Sequence, residues 1–342
     1  MYFFIYNKDM DFKEFTAGKD DDGRRIDKVI RIFISKEKLS GIYKAIRKGL
    51  VKVNNKKVQE SYHVKHGDSI KIASFLFEKS ENNKNTKGNS SSSSSNKELL
   101  IKNLNIIFQN EDFLVIDKPY DITVHGSESS LDKIVQEYYD SSAQKKSISF
   151  RPGPLHRLDR LTTGILFFSW SINGARWFCQ TMKNHNLKKI YLGIFEGKIK
   201  KSEEWTDFIE KKEETFNNFH TVSVEKNDKK EAKKALTKVI PLGFGKYSNT
   251  DFTFAQIQIF TGRTHQIRAQ SASHGFPLLG DIAYGGKKIE AQRQFFLHAQ
   301  KICFNKENLL GINLEQEINA PLPKDFQDFL ENHQFCDYNS SI

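Results

Sequence analysis

Residues 155–166 read LHRLDRLTTGIL. One carboxylate, Asp159, stands between Arg157 and Arg160. A polar turn, Thr162-Thr163-Gly164, follows, and then an apolar run, Ile165 to Phe168. A short apolar run bounded by a turn reads as a buried strand, which would fix the loop carrying the carboxylate to a rigid element. Taken alone, the pattern has two readings. An ion-pair cluster on a loop is what most such strings would be; a carboxylate kept ionised for chemistry is the other.

The surrounding chain reads as strands with helices intervening irregularly. Upstream, NIIFQNEDFLVIDKP suggests strands over 105–109 and 113–117, with a turn at Asn110-Glu111 and an end at Lys118-Pro119. Downstream, SINGARWFCQTMKNHNLKK has helical spacing, with Ala175, Phe178, Cys179 and Met182 on one face. KIYLGIFEGKI alternates like a strand. TFAQIQIFTGRTHQIRAQSASHG runs from a strand through a Thr-Gly-Arg turn into a helix starting near His265. This predicts an α+β body around a mostly antiparallel mixed sheet. The tail after Pro323 is amphipathic through Phe326, Phe329 and Leu330.

A chain of 342 residues with 38% hydrophobic residues and 28 Phe can bury a sizeable core and is natural for two domains. No apolar run approaches the roughly 20 residues that span a bilayer. The opening MYFFIYNKDM is apolar for six residues, too short for a signal-peptide core. The three cysteines, Cys179, Cys303 and Cys336, are far apart and none forms a C-x-x-C pair, so reduced thiols are expected. A cytoplasmic, monomeric protein without membrane association is the default reading.

The net charge of +11 is unevenly spread. Between Gly23 and Ile72 there are fourteen Lys/Arg against four Asp/Glu, leaving 39 against 38 elsewhere. Charge concentrated in one small segment suits a polyanion-binding module on a near-neutral body; a lysine-rich solvated surface is the alternative. RIDKVIRIFI places Ile26, Val29, Ile30 and Phe33 at helical spacing. GIYKAIRKG is a second helix closed by Gly49, with Ile42, Ala45 and Ile46 opposite Lys44, Arg47 and Lys48. VKVNNKKV reads as a hairpin turning at Asn54-Asn55, and HGDSIKI as a turn and short strand.

Residues 79–97, KSENNKNTKGNSSSSSSNK, contain no apolar side chain. Such a stretch has nothing to bury against the entropy of ordering it and would keep its ends roughly 25 Å apart as a flexible coil. The expected organisation is a basic, RNA-docking module over 1–78 (core 23–72), a linker over 79–98 and a separate larger domain over 99–342, the catalytic one by the motifs it carries.

Arg25-Ile26-Asp27, IRKGLVKVNNKKV and GDSIKI together resemble the S4 RNA-binding domain. That resemblance implies docking on structured RNA, with Arg25, Lys44, Arg47, Lys48 and Lys52 as contacts; it does not name a reaction. Four further motifs occur in order. They are HRLDR-x-T-[ST]-G at His156–Gly164, K-x-Y at Lys189–Tyr191, GRTHQIR at Gly262–Arg268 and GFPLLGDIAYGG at Gly275–Gly286; LHA at Leu297–Ala299 follows them. This set resembles the RluA family of RNA pseudouridine synthases over roughly residues 105–305. The S4 module in front points to the branch acting on large-subunit (23S) ribosomal RNA.

The resemblance implies that a uridine is flipped out, its C1′–N1 bond is broken, and the base is turned and rejoined as C1′–C5. Nothing is oxidised and no group is imported, so no cofactor is expected. A carboxylate must take a proton or attack the sugar, and Asp159 is the candidate. A free aspartate, pKa about 3.9, is ionised at neutral pH; burial opposes this unless a cation lies close. The resemblance assigns that part to Arg268, which offers bidentate geometry that lysine lacks. Tyr191 would stack on the uracil and serve as a base, Leu297 would pack beneath the ring, and Arg157 would fill the gap left by the flipped base. His156 and Arg263 complete the expected substrate contacts.

His156, His265, His274 and His298 show no H-x-x-x-H spacing, so no metal is expected; His156 and His265 are expected to orient loops by hydrogen bonding. The sequence departs from the family pattern at Thr163, where serine is commoner, at Gly193 for alanine and at Gln270 for histidine. None touches the proposed Asp, Tyr or Arg, and the expected effect is on fine substrate choice. Two other functions compete: an RNA-binding assembly factor with a scaffold body, and the same chemistry on transfer RNA.

Overall fold

The computed structural model describes residues 11–34, 37–77, 104–141, 147–216, 219–225, 232–248, 250–290, 293–309 and 311–333. The expected linker over 79–98 lies outside these, as does Cys336. The chain divides into two compact units. One comprises the residues up to Lys102 with Ile134–Gly153 and Ser171–Asn173; the other comprises Asn103–Lys133, Pro154–Trp170 and Gly174–Ile342.

The first unit carries a four-stranded sheet in the order β1-β4-β2-β3, from β1 (Phe12–Thr16), β2 (Val51–Val53), β3 (Lys56–Lys57) and β4 (Ser69–Ala73). Helices α1 (Ile26–Ile30) and α2 (Leu39–Arg47) complete it. Helix α2 is divided as its sequence predicts: Ile42, Ala45 and Ile46 are buried, while Lys44, Arg47 and Lys48 are exposed. Gly49 (φ 73°) ends it, with Gly49 N–H on Ile46 O and Leu50 N–H on Ala45 O. That double bond is the Schellman closure, and it needs a left-handed residue at this position. Asn54 and Asn55, at φ 49° and 62°, make the hairpin between β2 and β3. Helix α1 stops at Ile30, shorter than the Ile26 to Phe33 spacing suggests; Phe33 instead turns onto Phe15, with ring centroids 4.4 Å apart.

The second unit is built on a ten-stranded sheet: β5 (Ile106–Gln109), β6 (Phe113–Lys118), β7 (Thr163–Ser169), β8 (Leu187–Glu196), β9 (Glu203–Phe216), β10 (Phe219–Glu225), β11 (Lys233–Tyr247), β12 (Thr250–Ile259), β13 (Leu297–Phe304) and β14 (Glu317–Asn319). The order is β10-β9-β11-β12-β8-β13-β7-β6-β5, with β14 added to β13. Among the described residues only the β13–β7 pair is parallel, at His298↔Thr163 and Ala299↔Gly164. The α+β class with a mostly antiparallel mixed sheet is therefore as expected. Among the described residues, helix α3 (Leu131–Ser141) falls mostly in the first unit, while α4 (Ile172–Lys183), α5 (Gln266–Ser273) and α6 (Lys324–Asn332) belong mainly or wholly to the second.

The parallel pair explains the Thr-Thr-Gly turn. Gly164 has φ 108°, and a Cβ there would stand 2.2 Å from the Ala299 carbonyl oxygen. Only glycine lets β7 lie this close to β13. All seven residues of β7 are buried, which accounts for a continuous apolar run instead of alternation. Phe113 and Phe167 share a core cluster with Phe178 of α4. The face of α4 differs from expectation: Gly174, Phe178 and Thr181 are buried, whereas Cys179 is exposed. Gly174 sits where a Cβ would lie 2.3 Å from Asp112 O, and this close approach sets the helix rotation. Helix α6 buries Phe326, Phe329 and Leu330 against Phe254 and Phe296.

Candidate active site

Asp159 lies on the segment between α3 and β7, and the backbone there is tied down. Thr162 N–H donates to Asp159 O at 3.0 Å. Lys118, fully buried at the end of β6, sends Nζ to the carbonyls of Arg160 (2.8 Å), Thr162 (2.8 Å) and Pro119 (2.9 Å). Burial pulls the Lys118 pKa down to about 7 against the opposing charge of Asp159. Three carbonyl acceptors nevertheless call for three N–H donors, which only the ammonium supplies. Sequence reading treated Lys118 as the end of a strand. A buried lysine of this kind has no local signature beyond its place closing an apolar run.

Arg268 comes from the first turns of α5, which starts after His265, a left-handed residue at φ 51°. The guanidinium reaches Asp159 with one nitrogen, Nη1 to Oδ2 at 3.5 Å. Its main partner is Asp281, which takes Nε at 2.7 Å and Nη2 at 2.8 Å. Arg268 is thus the cation beside Asp159, as the resemblance implies, but its bidentate geometry is spent on Asp281. Tyr284 and Phe295 flank the same guanidinium, with ring centroids 4.9 and 4.7 Å away. Burial works against its charge, the Asp281 carboxylate outweighs that, and the pKa is raised. Asp281 lies in the quoted GDIAYGG stretch and received no role from sequence; its acidic side chain beside the Gly280 turn was the available signal.

Two cavities meet at Asp159, one of about 550 Å³ and one of about 180 Å³. The smaller is walled by Tyr191 and Leu297, both buried, together with His156, Lys189 and Arg268. Burial, and then the charge of Asp159, push the Tyr191 phenol up and keep it protonated. Such a phenol is neutral at ordinary pH and can donate a hydrogen bond, while giving its proton up only reluctantly. Gly193, opposite Leu297 in the β8–β13 ladder, leaves room for Ile257 and Leu278: a Cβ there would lie 3.0 Å from Ile257 Cδ1 and 3.3 Å from Leu278 Cδ2, but at an ordinary 3.5 Å from Leu297 Cδ1. The larger cavity runs past Val124, His125, Ile282 and Phe295.

The histidines act as the sequence suggests for loops. His156 Nε2 accepts Phe167 N–H at 3.2 Å and its ring stacks on Phe178; burial, with Lys189 nearby, holds its pKa down to about 3. His265 Nδ1 pairs with the Tyr284 hydroxyl at 2.8 Å, and its Nε2 stands 3.8 Å from Asp159. Thr163 Oγ1 and His298 Nδ1 pair at 2.9 Å; with Nε2 facing the Ala320 carbonyl, a neutral ring protonated at Nε2 takes the threonine hydroxyl as donor.

Of the arginines flanking Asp159, neither bonds it. Arg157 is exposed and lines both cavities, and Arg160 pairs with Asp121 at 3.0 Å. Arg263 is exposed at the turn, its Nε donating to Lys234 O. Gln270 lines neither cavity. It is fully buried, bonded to Thr237, Asp207 and Trp205, so its part is to join α5 to β9 and β11 and not to choose substrates. In the first unit Arg25 is paired with the buried Asp27 at 3.1 Å, and Lys52 lies over the Phe12 ring.

Residues 112–273 match the RNA pseudouridylate synthase family, and residues 24–70 match the S4 domain. The ribosomal large subunit pseudouridine synthase D of Borreliella burgdorferi is 31% identical over 66% of this chain and 68% of its own length. The chain belongs to the RNA pseudouridylate synthase family and is an enzyme of that class. A likeness over nearly the whole length is to ribosomal large subunit pseudouridine synthase C. The Vibrio parahaemolyticus protein of that name is 28% identical over 91% of this chain and 93% of its own. The solved human RNA pseudouridylate synthase domain containing 4 shares the fold, with a TM-score of 0.57, 19% identity and coverage of 72% of this chain and all of that one.

Proposed function

We propose that this enzyme isomerises uridine to pseudouridine in large-subunit (23S) ribosomal RNA, with Asp159 acting on the flipped nucleotide. The observation that carries the reading is the convergence on one small cavity of Asp159, Arg268, Tyr191 and Leu297, four residues drawn from separate segments. The cavity is about the size of one base. In this reading Leu297 packs on one side of the uracil and Tyr191 stacks on it, while Asp159 faces the sugar.

Arg268 Nη1 stabilises the carboxylate until the C1′–N1 bond breaks. The neutral Tyr191 phenol serves as platform and hydrogen-bond donor. Arg157 enters the duplex position that the base has left, which offsets part of the few kcal/mol that flipping costs. Lys44, Arg47, Lys48 and Lys52, with Arg25, supply phosphate contacts that hold the RNA. The expected domain organisation, with the basic module over 1–78 tethered to a catalytic domain over 99–342, suits this division of labour. A monomer in the cytoplasm is part of the same proposal.

Pseudouridine mapping of total RNA, with and without the protein, tests it. Loss of one or more large-subunit pseudouridines is the expected result. Loss confined to transfer RNA would move the substrate, and no loss at all would favour an assembly factor.

A further inference from the structure

A recess of about 130 Å³ opens beside the Tyr191 cavity and shares Met182, Lys189, Gly262 and Arg263 with it. Its outer wall is Phe260, which stands 42% exposed directly after the buried Ile259 at the end of β12. Single exposed apolar residues are ordinary on protein surfaces. Phe260 differs in forming one side of a concavity whose rim is cationic, from Lys189 and Arg263.

Lys189 stands two residues before Tyr191 on β8, so both side chains leave the strand on the same face. The ammonium lies against the Thr-Gly-Arg turn, 3.3 Å from where a Cβ on Gly262 would be, so the glycine makes its place. Burial draws its pKa down, and among the described residues no carboxylate lies within ion-pair distance of it. A half-buried cation without a counter-charge, at the junction of two base-sized recesses, suits a phosphate that arrives with the ligand.

We propose that this recess is the subsite for the nucleotide adjoining the target uridine: its base stacks on Phe260, and the phosphate joining the two nucleotides lies between Lys189 and Arg263. The inference rests on the reading of the Tyr191 cavity as the uracil site. A base that loses its stacked neighbour when the uridine flips regains a π-face on Phe260. Stacking of this kind tolerates any base, so the subsite adds affinity at the flipped junction without reading sequence.

The test uses the full-length enzyme with a large-subunit ribosomal RNA transcript in single-turnover pseudouridine formation, and with a fluorescein-labelled oligouridine in anisotropy titrations across a salt series. Phe260→Ala should raise the half-saturating RNA concentration about tenfold, the size of one base-on-aromatic stack, and by far more than it alters the rate at saturation. Phe260→Tyr should restore it. Lys189→Gln should flatten the slope of log affinity against log salt by about 0.7, one single-strand phosphate contact. Unchanged half-saturation in Phe260→Ala, or an unchanged salt slope in Lys189→Gln, overturns the subsite. A wild-type enzyme that forms no pseudouridine in the transcript overturns the functional reading instead, and the oligouridine titrations then judge the subsite alone.

Discussion

Asp281 grips Arg268 through both Nε (2.7 Å) and Nη2 (2.8 Å), leaving Nη1 to face Asp159 at 3.5 Å. The carboxylate that aims the arginine is therefore not Asp159, the one proposed for the chemistry. Asp281→Asn keeps the shape and removes the charge that fixes the guanidinium. Pseudouridine formation should fall at least ~100-fold, comparable to losing one preorganised charge-stabilising group. Stability should drop by about 3–5 kcal/mol, as when one partner of a buried pair is removed. Single-turnover assays and urea unfolding check both; full activity in this variant would mean that Asp281 does not aim Arg268.

Gly164 makes a second prediction. At φ 108°, with the Ala299 carbonyl 2.2 Å from the position of a Cβ, alanine must both strain its own backbone and push β13 away. Gly164→Ala should cost roughly 3 kcal/mol or more in chemical denaturation. It should also lower activity, because Leu297 begins the displaced strand.

His298 gives a pH dependence. It is fully buried between Thr163 and Ala320, and burial holds its pKa at about 4, below its ordinary 6.5. Folding therefore keeps it neutral. The stability it contributes is fully present above about pH 6.5 and is lost as pH falls toward 4, reaching a loss of about 2 kcal/mol at pH 5. In the wild type, urea unfolding at pH 8 and pH 5 should show a loss larger than that, because His156 is held neutral in the same way; in His298→Gln the loss should be smaller by about 2 kcal/mol.

The fold was legible where periodicity and turn chemistry act locally. The two faces of α2, its Gly49 closure, the Asn54-Asn55 hairpin and the buried β7 all follow from neighbours within a few residues. The site was legible where a motif names a residue, and Asp159, Tyr191, Arg268 and Leu297 do line one cavity. What escaped is held by distance. Lys118 bonds carbonyls 42 and 44 residues away, and nothing in VIDKP says that its ammonium turns inward. Asp281 acts on a guanidinium whose remaining nitrogen, not its bidentate pair, serves Asp159. The α4 face was misread because Gly174, chosen for contact with Asp112, carries no hydrophobic signal. Gln270 was read for specificity because its hydrogen bonds to β9 and β11 could not be seen along the chain.

The central claim is that Asp159 performs the isomerisation. Asp159→Asn leaves the side-chain volume and the Lys118 clamp on the loop backbone in place, so RNA binding should survive in a filter or anisotropy assay. Mapping of pseudouridine in large-subunit RNA incubated with this variant should find none above background. Pseudouridine formed at the wild-type positions by Asp159→Asn would contradict the account.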